Sequence, residues 1–286
     1  MRRGLRAGIA AAALVVLAAC VTAGCGGGNS NALSLDPVAS AATKTQQAGA
    51  VRLRFSLALS SPQLQAGKTL RLEGTGAVDG TSGELTFKPG SLGGRSGIPA
   101  DASVKEIFLR QHGDYVVYMG GSLAKRLPHG KQWVKLDVTK LGKSAGLDLG
   151  QLLSGSQVQP TDLLSMLEAE GAKIQSLGSA TVDGATTTHY RITIDPTKAL
   201  QDKGLTSPLL AGMASQLPTS LPVDAWIGKD GLVHRVQIAV GLAQSHVDMT
   251  MDLYDYGARV TIAAPPSDSV FDATALAQQG IDTGMH

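Results

Sequence analysis

The groups best able to do chemistry in this 286-residue chain are two cysteines, six histidines and 23 acidic side chains, and their spacing limits what they can do. Catalysis or metal binding needs such groups to converge: a nucleophile beside a base, paired carboxylates, or ligands at fixed offsets. His112, His129, His189, His234, His246 and His286 are scattered, with no second His, Cys or acid at ligand spacing on a helix, so no metal site is expected. His234 falls in phase with Leu232, Val236, Ile238 and Val240, where a lone histidine reads as a hydrogen-bonded, half-buried residue; His189 and His246 fall on solvated phases. The glycine-rich "GTGAVDGTSG" lacks the Lys-Ser/Thr that closes a phosphate loop and lies between strands, which makes it turns and bulges. Asp248, Asp252 and Asp255 lie in a strand and the turn after it, where a wet sheet face accounts for them. The expectation is a protein that is not an enzyme and uses no cofactor.

Cys20 and Cys25 remain, both within "LVVLAACVTAGCGGGNSN". Arg2, Arg3 and Arg6 precede an uncharged run from Ala7 to Gly24, the layout of a secretory signal. Leu17-Ala18-Ala19-Cys20 matches the lipobox of bacterial lipoproteins, with an aliphatic residue three before a cysteine and small residues between. Val21-Thr22-Ala23-Gly24-Cys25 is a second match, weaker because Thr22 stands where leucine is preferred. An uncleaved anchor is the alternative, since a spanning helix needs roughly 17 to 25 residues, yet an Ala- and Gly-rich run is a poor spanner. The expected organisation is a signal over residues 1–19 (or 1–24), lipid on Cys20 or Cys25, and a flexible Gly/Ser-rich tether over 20–35. That puts the bulk of the chain on the extracytoplasmic face of the membrane in a bacterial envelope. Loss of the signal takes the formal charge from +2 to about −1 and leaves no basic surface for nucleic acid.

After the tether, Asp36-Pro37 opens a short helix, and then a period of two dominates. In "VRLRFSLALS" Val51, Leu53, Phe55, Leu57 and Leu59 alternate with more polar residues, a strand with one dry face. Further strands are expected around Leu70 and Leu72, at Leu85 and Phe87, over 104–111, 115–119 and 133–138, and through Tyr190, Ile192 and Ile194. "LPVDAWIGKDGLVHRVQIAV" is the strongest hairpin, turning at Lys229-Asp230-Gly231, and "SHVDMTMDLYDYG" and "ARVTIAAPP" follow as strands. Helical periodicity is confined to 148–171, 207–218 and the "ATALAQQ" stretch. An antiparallel sheet this long must bury its dry face, and curving around the inserted helices is the economical way.

Three segments carry a resemblance. "HGKQWVKLDVTKLG" (129–142), "LPVDAWIGKDGLVHRVQIAV" (221–240) and "DYGARVTIAAPPSDSVFD" (255–272) are similar, in order and spacing, to segments of the LppX/LprG type of cell-envelope lipoproteins, which share the LolA/LolB-like fold. The resemblance spans about residues 36 to 275 and implies one α+β domain over 36–286: a strongly curved antiparallel β-sheet, or half-barrel, of about nine to eleven strands closed by a few α-helices. It further implies a hydrophobic cavity that holds a lipid or acylated glycolipid, to be carried or presented in the envelope, with an envelope transporter or acceptor protein as partner. No family motif marks a site, so candidate cavity residues come from the inward rows and inserted helices: Leu53, Phe55, Leu57, Val236 and Ile238 on strands, and Leu163, Leu164, Leu167, Leu209, Leu210, Met213 and Leu217 on helices. "LTSPLLAGMASQLP" is the candidate lid. The same fold with a filled interior would instead be a sensor or interaction module in envelope stress or cell-wall assembly.

Overall fold

The computed structural model describes residues 37–61, 69–88, 102–122, 124, 127–144, 173–195, 197–198, 218–242 and 245–284. Both cysteines, the expected tether, the helix expected over 148–171 and all but Pro218 of the one over 207–218 lie outside them.

Among the described residues twelve strands form one sheet, slightly more than expected. β1 (Val51–Ser60), β2 (Thr69–Asp79), β3 (Ser82–Lys88), β4 (Val104–Gln111), β5 (Asp114–Gly121) and β6 (Trp133–Asp137) make one antiparallel meander. β7 (Lys173–Val182), β8 (Ala185–Ile194), β9 (Leu221–Gly228), β10 (Val233–Leu242) and β11 (Ser245–Tyr254) make a second, and the two are joined where β1 pairs with β11. β12 (Val270–Asp272) adds to β6 in parallel, so the order runs β12-β6-β5-β4-β3-β2-β1-β11-β10-β9-β8-β7. Strands about 4.8 Å apart would make a flat ribbon over 50 Å wide. Twist accumulated over so many strands coils it instead into a curved half-barrel whose edges do not meet.

Helix α1 (Pro37–Gln47) lies against β9 and β10. Proline suits a first helical position, and Val38, Ala41, Ala42 and Thr45 recur at helical spacing to form the buried stripe. The helix stops before Gly49, whose φ of +79° ends it at low cost. α2 (Val138–Ser144) begins directly after β6, cutting the expected 133–138 strand one residue short, and packs beside α3 (Thr274–Gly284). No described helix is long and apolar enough to cross a membrane.

The structure corrects two expectations drawn from local pattern. Residues 258–266, expected as a strand, join no ladder. They alternate in exposure and are extended, but they lead from β11 in mid-sheet to β12 at the margin and so lie beside no free edge. Ile262 packs with Leu109, Val116, Tyr118 and Trp133 in a second apolar cluster, separate from the main core. Gly74 and Gly76, expected in turns or bulges, stand inside β2 in unbroken register. Gly74 lies between Phe55 and Phe87, Gly76 between Leu53 and Leu85, and a Cβ on Gly74 would come within 2.6 Å of both the Phe55 ring and the Thr86 carbonyl oxygen. These glycines let bulky neighbours close over β2.

Candidate functional site

Three cross-strand rows run through the inner face of the half-barrel. The longest runs through Val104, Phe87, Gly74, Phe55, Met251, Val236, Ala225 and Tyr190, from β4 to β8. A second passes through Leu72, Leu57, Met249, Ile238, Val223, Ile192 and Ile174, from β2 to β7. The third joins Val134, Met119, Glu106, Leu85, Gly76, Leu53 and Leu253, from β6 to β11. All five strand residues chosen from the sequence therefore share this face: Leu53, Phe55 and Val236 are buried in the main core cluster, and Leu57 and Ile238 are packed against it, partly buried. Leu163, Leu164, Leu167, Leu209, Leu210, Met213 and Leu217 lie outside the described residues.

One member of these rows escaped the sequence reading. Glu106 is 6% exposed and is the only charged residue in the three rows. Burial pushes its carboxyl up to about 7. A signal was there: in "VKEIFLRQ" the acid is in phase with Val104 and Phe108, which face the core.

At the β9–β10 end, α1 is fixed by polar contacts made where β10 departs from regular pairing. A register shift lies between Val233 and Arg235. The Val233 N–H donates to Thr45 Oγ1 at 3.0 Å, and the Val233 carbonyl accepts from the Tyr256 hydroxyl. Burial raises the Tyr256 hydroxyl above its ordinary pKa, which keeps it a neutral donor. The shift also takes His234 out of the apolar row it was expected to share; Val233 faces the core, and His234 bonds Asp230 at 3.0 Å. A 300 Å³ groove lies beside α1, lined by Pro37, Ala41, Lys44, Tyr190 and Ile227 among others.

The outer face is polar but not simply wet. Arg54, Asp252, Arg235, Trp226 and His189 are in direct register across β1, β11, β10, β9 and β8. Asp252 is 6% exposed; burial alone would raise its pKa, but Arg235 and Arg54 hold it below the usual carboxylate range. Arg54 also reaches Asp183, at the turn between β7 and β8, at 2.7 Å. His189 is not solvated as expected: its ring stacks on Trp226 with centroids 4.2 Å apart and bonds Asp224 at 2.9 Å. Two depressions of 420 and 350 Å³ border this face, the first lined by Arg54, Glu73, Lys88 and Asp252 among others, the second by Arg71, Gln237 and Asp248 among others. Among the described residues, no group of three His, Cys, Asp or Glu converges to hold a metal ion.

No family model matches the chain, and no curated protein matches it in sequence. Solved structures similar to it include the lipoprotein LppX of Mycobacterium tuberculosis, 15% identical with 80% of this chain and 100% of that one covered and a TM-score of 0.40. LprF from Mycobacterium bovis is 16% identical, with 81% and 96% covered and a TM-score of 0.40. A LolA-superfamily protein from Nitrosomonas europaea is 8% identical, with 83% and 97% covered and a TM-score of 0.29.

Proposed function

We propose that this chain is an extracytoplasmic lipoprotein, held to the membrane by acyl chains on Cys20 or Cys25, that binds a lipid or acylated glycolipid on the inner face of its half-barrel and carries or presents it in the envelope. The observation that supports this most is the apolar surface itself. Three rows of aliphatic, aromatic and methionine side chains extend across the sheet, and α1 lies against the sheet at the β9–β10 end. Burying a CH₂ is worth about 0.8 kcal/mol, so a 16-carbon chain seated there would gain roughly 12 kcal/mol over its exposure to water. In this reading Leu163, Leu164, Leu167, Leu209, Leu210, Met213 and Leu217 supply the opposing wall. The segment containing Leu209 and Met213 acts as the lid, whose opening governs release. The work requires no turnover and no cofactor, and the partner is the transporter or acceptor that takes the lipid.

A second reading, the same fold with a filled interior acting as a sensor or interaction module, draws support from the close packing of the main cluster, where Val38, Ile192, Ala225 and Val233 have no exposed surface. Native mass spectrometry of protein purified from membranes separates the two. Carriage predicts a co-purifying lipid, or one taken up from added vesicles; a protein that emerges empty and stays empty refutes it.

A further inference from the structure

Glu106 is poorly explained by the fold alone. On β4 it sits between Leu85 of β3 and Met119 of β5, in register with both, and at 6% exposure it is shut away from bulk water. Along its own strand the next inner-face residues are Val104 and Phe108. From β3 and β5, the described strands packed against it, Phe87, Gly83, Val117 and Gly121 are the next neighbours on this face, and none is titratable. The nearest charges in register, Glu84 and Lys105, are exposed on the opposite face, and Arg110, further along β4, lies over the Tyr115 ring. Among the described residues the carboxyl has neither a hydrogen-bond nor an ion-pair partner, and burial is the only influence on its pKa.

Buried polar groups are nearly always hydrogen-bonded, and an isolated buried charge is costlier still. A carboxyl placed in an otherwise apolar row therefore implies a polar group brought by something else. The ligand of an apolar face carries its oxygens in one place, where the acyl chains join the head. We infer that Glu106 is the polar contact of the inner face with the bound amphiphile, donating to the ester oxygens at its head–chain junction. The inference rests on the carrier reading and narrows it: ester-linked, uncharged junctions are favoured, and an anionic fatty acid would set carboxylate against carboxylate once Glu106 ionises. It also makes occupancy sensitive to pH, because the protonated carboxyl can donate to an ester carbonyl and the ionised one cannot.

The test measures equilibrium binding of pyrene-labelled dipalmitoylglycerol and of a pyrenyl alkane lacking any oxygen, from pH 5.5 to 8.5, to the wild-type chain, Glu106→Gln and Glu106→Leu, with thermal melts confirming that all three fold. Wild-type affinity for the diacylglycerol is expected to fall on the order of tenfold across that range. Glu106→Gln keeps a hydrogen-bonding side chain without the charge, so its affinity stays level. Glu106→Leu loses diacylglycerol affinity at every pH yet binds the alkane as well as wild type. A wild-type profile flat with pH, an affinity that rises with pH as for a cationic head, or a Glu106→Leu protein that binds the diacylglycerol normally would each overturn the assignment. Uptake of the alkane with no uptake of the diacylglycerol would overturn it while leaving the carrier reading intact; uptake of neither probe would sink both.

Discussion

A buried acid that titrates near 7 governs more than its immediate contacts. Because Glu106 holds its proton in the folded chain to about pH 7, well above the ordinary 4.5, the folded state binds more protons than the unfolded one between those values. Its contribution is therefore most favourable below about 4.5 and is lost as pH rises through 7, a change of about 3 kcal/mol. Asp252, Asp230 and Asp272 act in the opposite sense: their depressed pKa values favour folding above the ordinary carboxylate pKa, and that favour is lost as pH falls through their folded values. Together these groups place greatest stability between about pH 4 and 5. Thermal melts should show wild type losing stability from pH 5 to 8 and Glu106→Gln losing almost none over the same interval; parallel curves would show that Glu106 is not buried as an acid. This residue was legible in the sequence only through its phase. Both phases of "VKEIFLRQ" are apolar because both faces of β4 are covered, so no clean alternation drew the eye to the acid among them.

At the scale of elements, the strands whose inward residues could be named were those with one dry face. β1, β10 and β11 alternate clearly, and their inward residues Leu53, Phe55, Leu57, Val236 and Ile238 were found for that reason. β7 was missed because neither of its faces is well buried, which leaves "KIQSLGSATV" with no hydrophobic rhythm, and Leu177 is 42% exposed. The segment over 258–266 misled in the opposite way: alternation reports an extended chain, but pairing depends on an available edge, which only the whole topology supplies. β2 shows a third limit, since glycines in a strand read as weakness when here they make room. Gly74→Ala would drive a Cβ against the Phe55 ring and, more seriously, the Thr86 carbonyl, which belongs to β3 and cannot swing away. The expected cost is about 1–3 kcal/mol, seen as a lower urea midpoint, and an unchanged midpoint would mean that β2 and β3 can separate freely.

For the whole molecule, the sequence indicated an antiparallel half-barrel correctly but could not order its strands, because the β1–β11 pairing that joins the two meanders links residues about 200 positions apart. The organisation proposed beyond the described residues is open to direct test: with Cys20→Ser and Cys25→Ser made separately and cells fed a labelled fatty acid, one replacement should abolish labelling and the other leave it. Two or three acyl chains on that cysteine would hold the chain stably to a bilayer, which a single chain would not. Retention of label by neither variant alone but by the wild type would mean that both cysteines are needed; no label in the wild type would end the lipoprotein reading.

The parallel pairing of β12 with β6 has a consequence for the order in which the molecule is made. Residues 270–272 close a strand that was synthesised about 135 residues earlier. Until they emerge, β6 offers an unsatisfied row of amides and carbonyls, and the apolar patch around Trp133 lacks Ile262 and Val270. A chain cut short after Tyr254 would keep eleven of its described strands and still present an unpaired margin open to pairing with another chain.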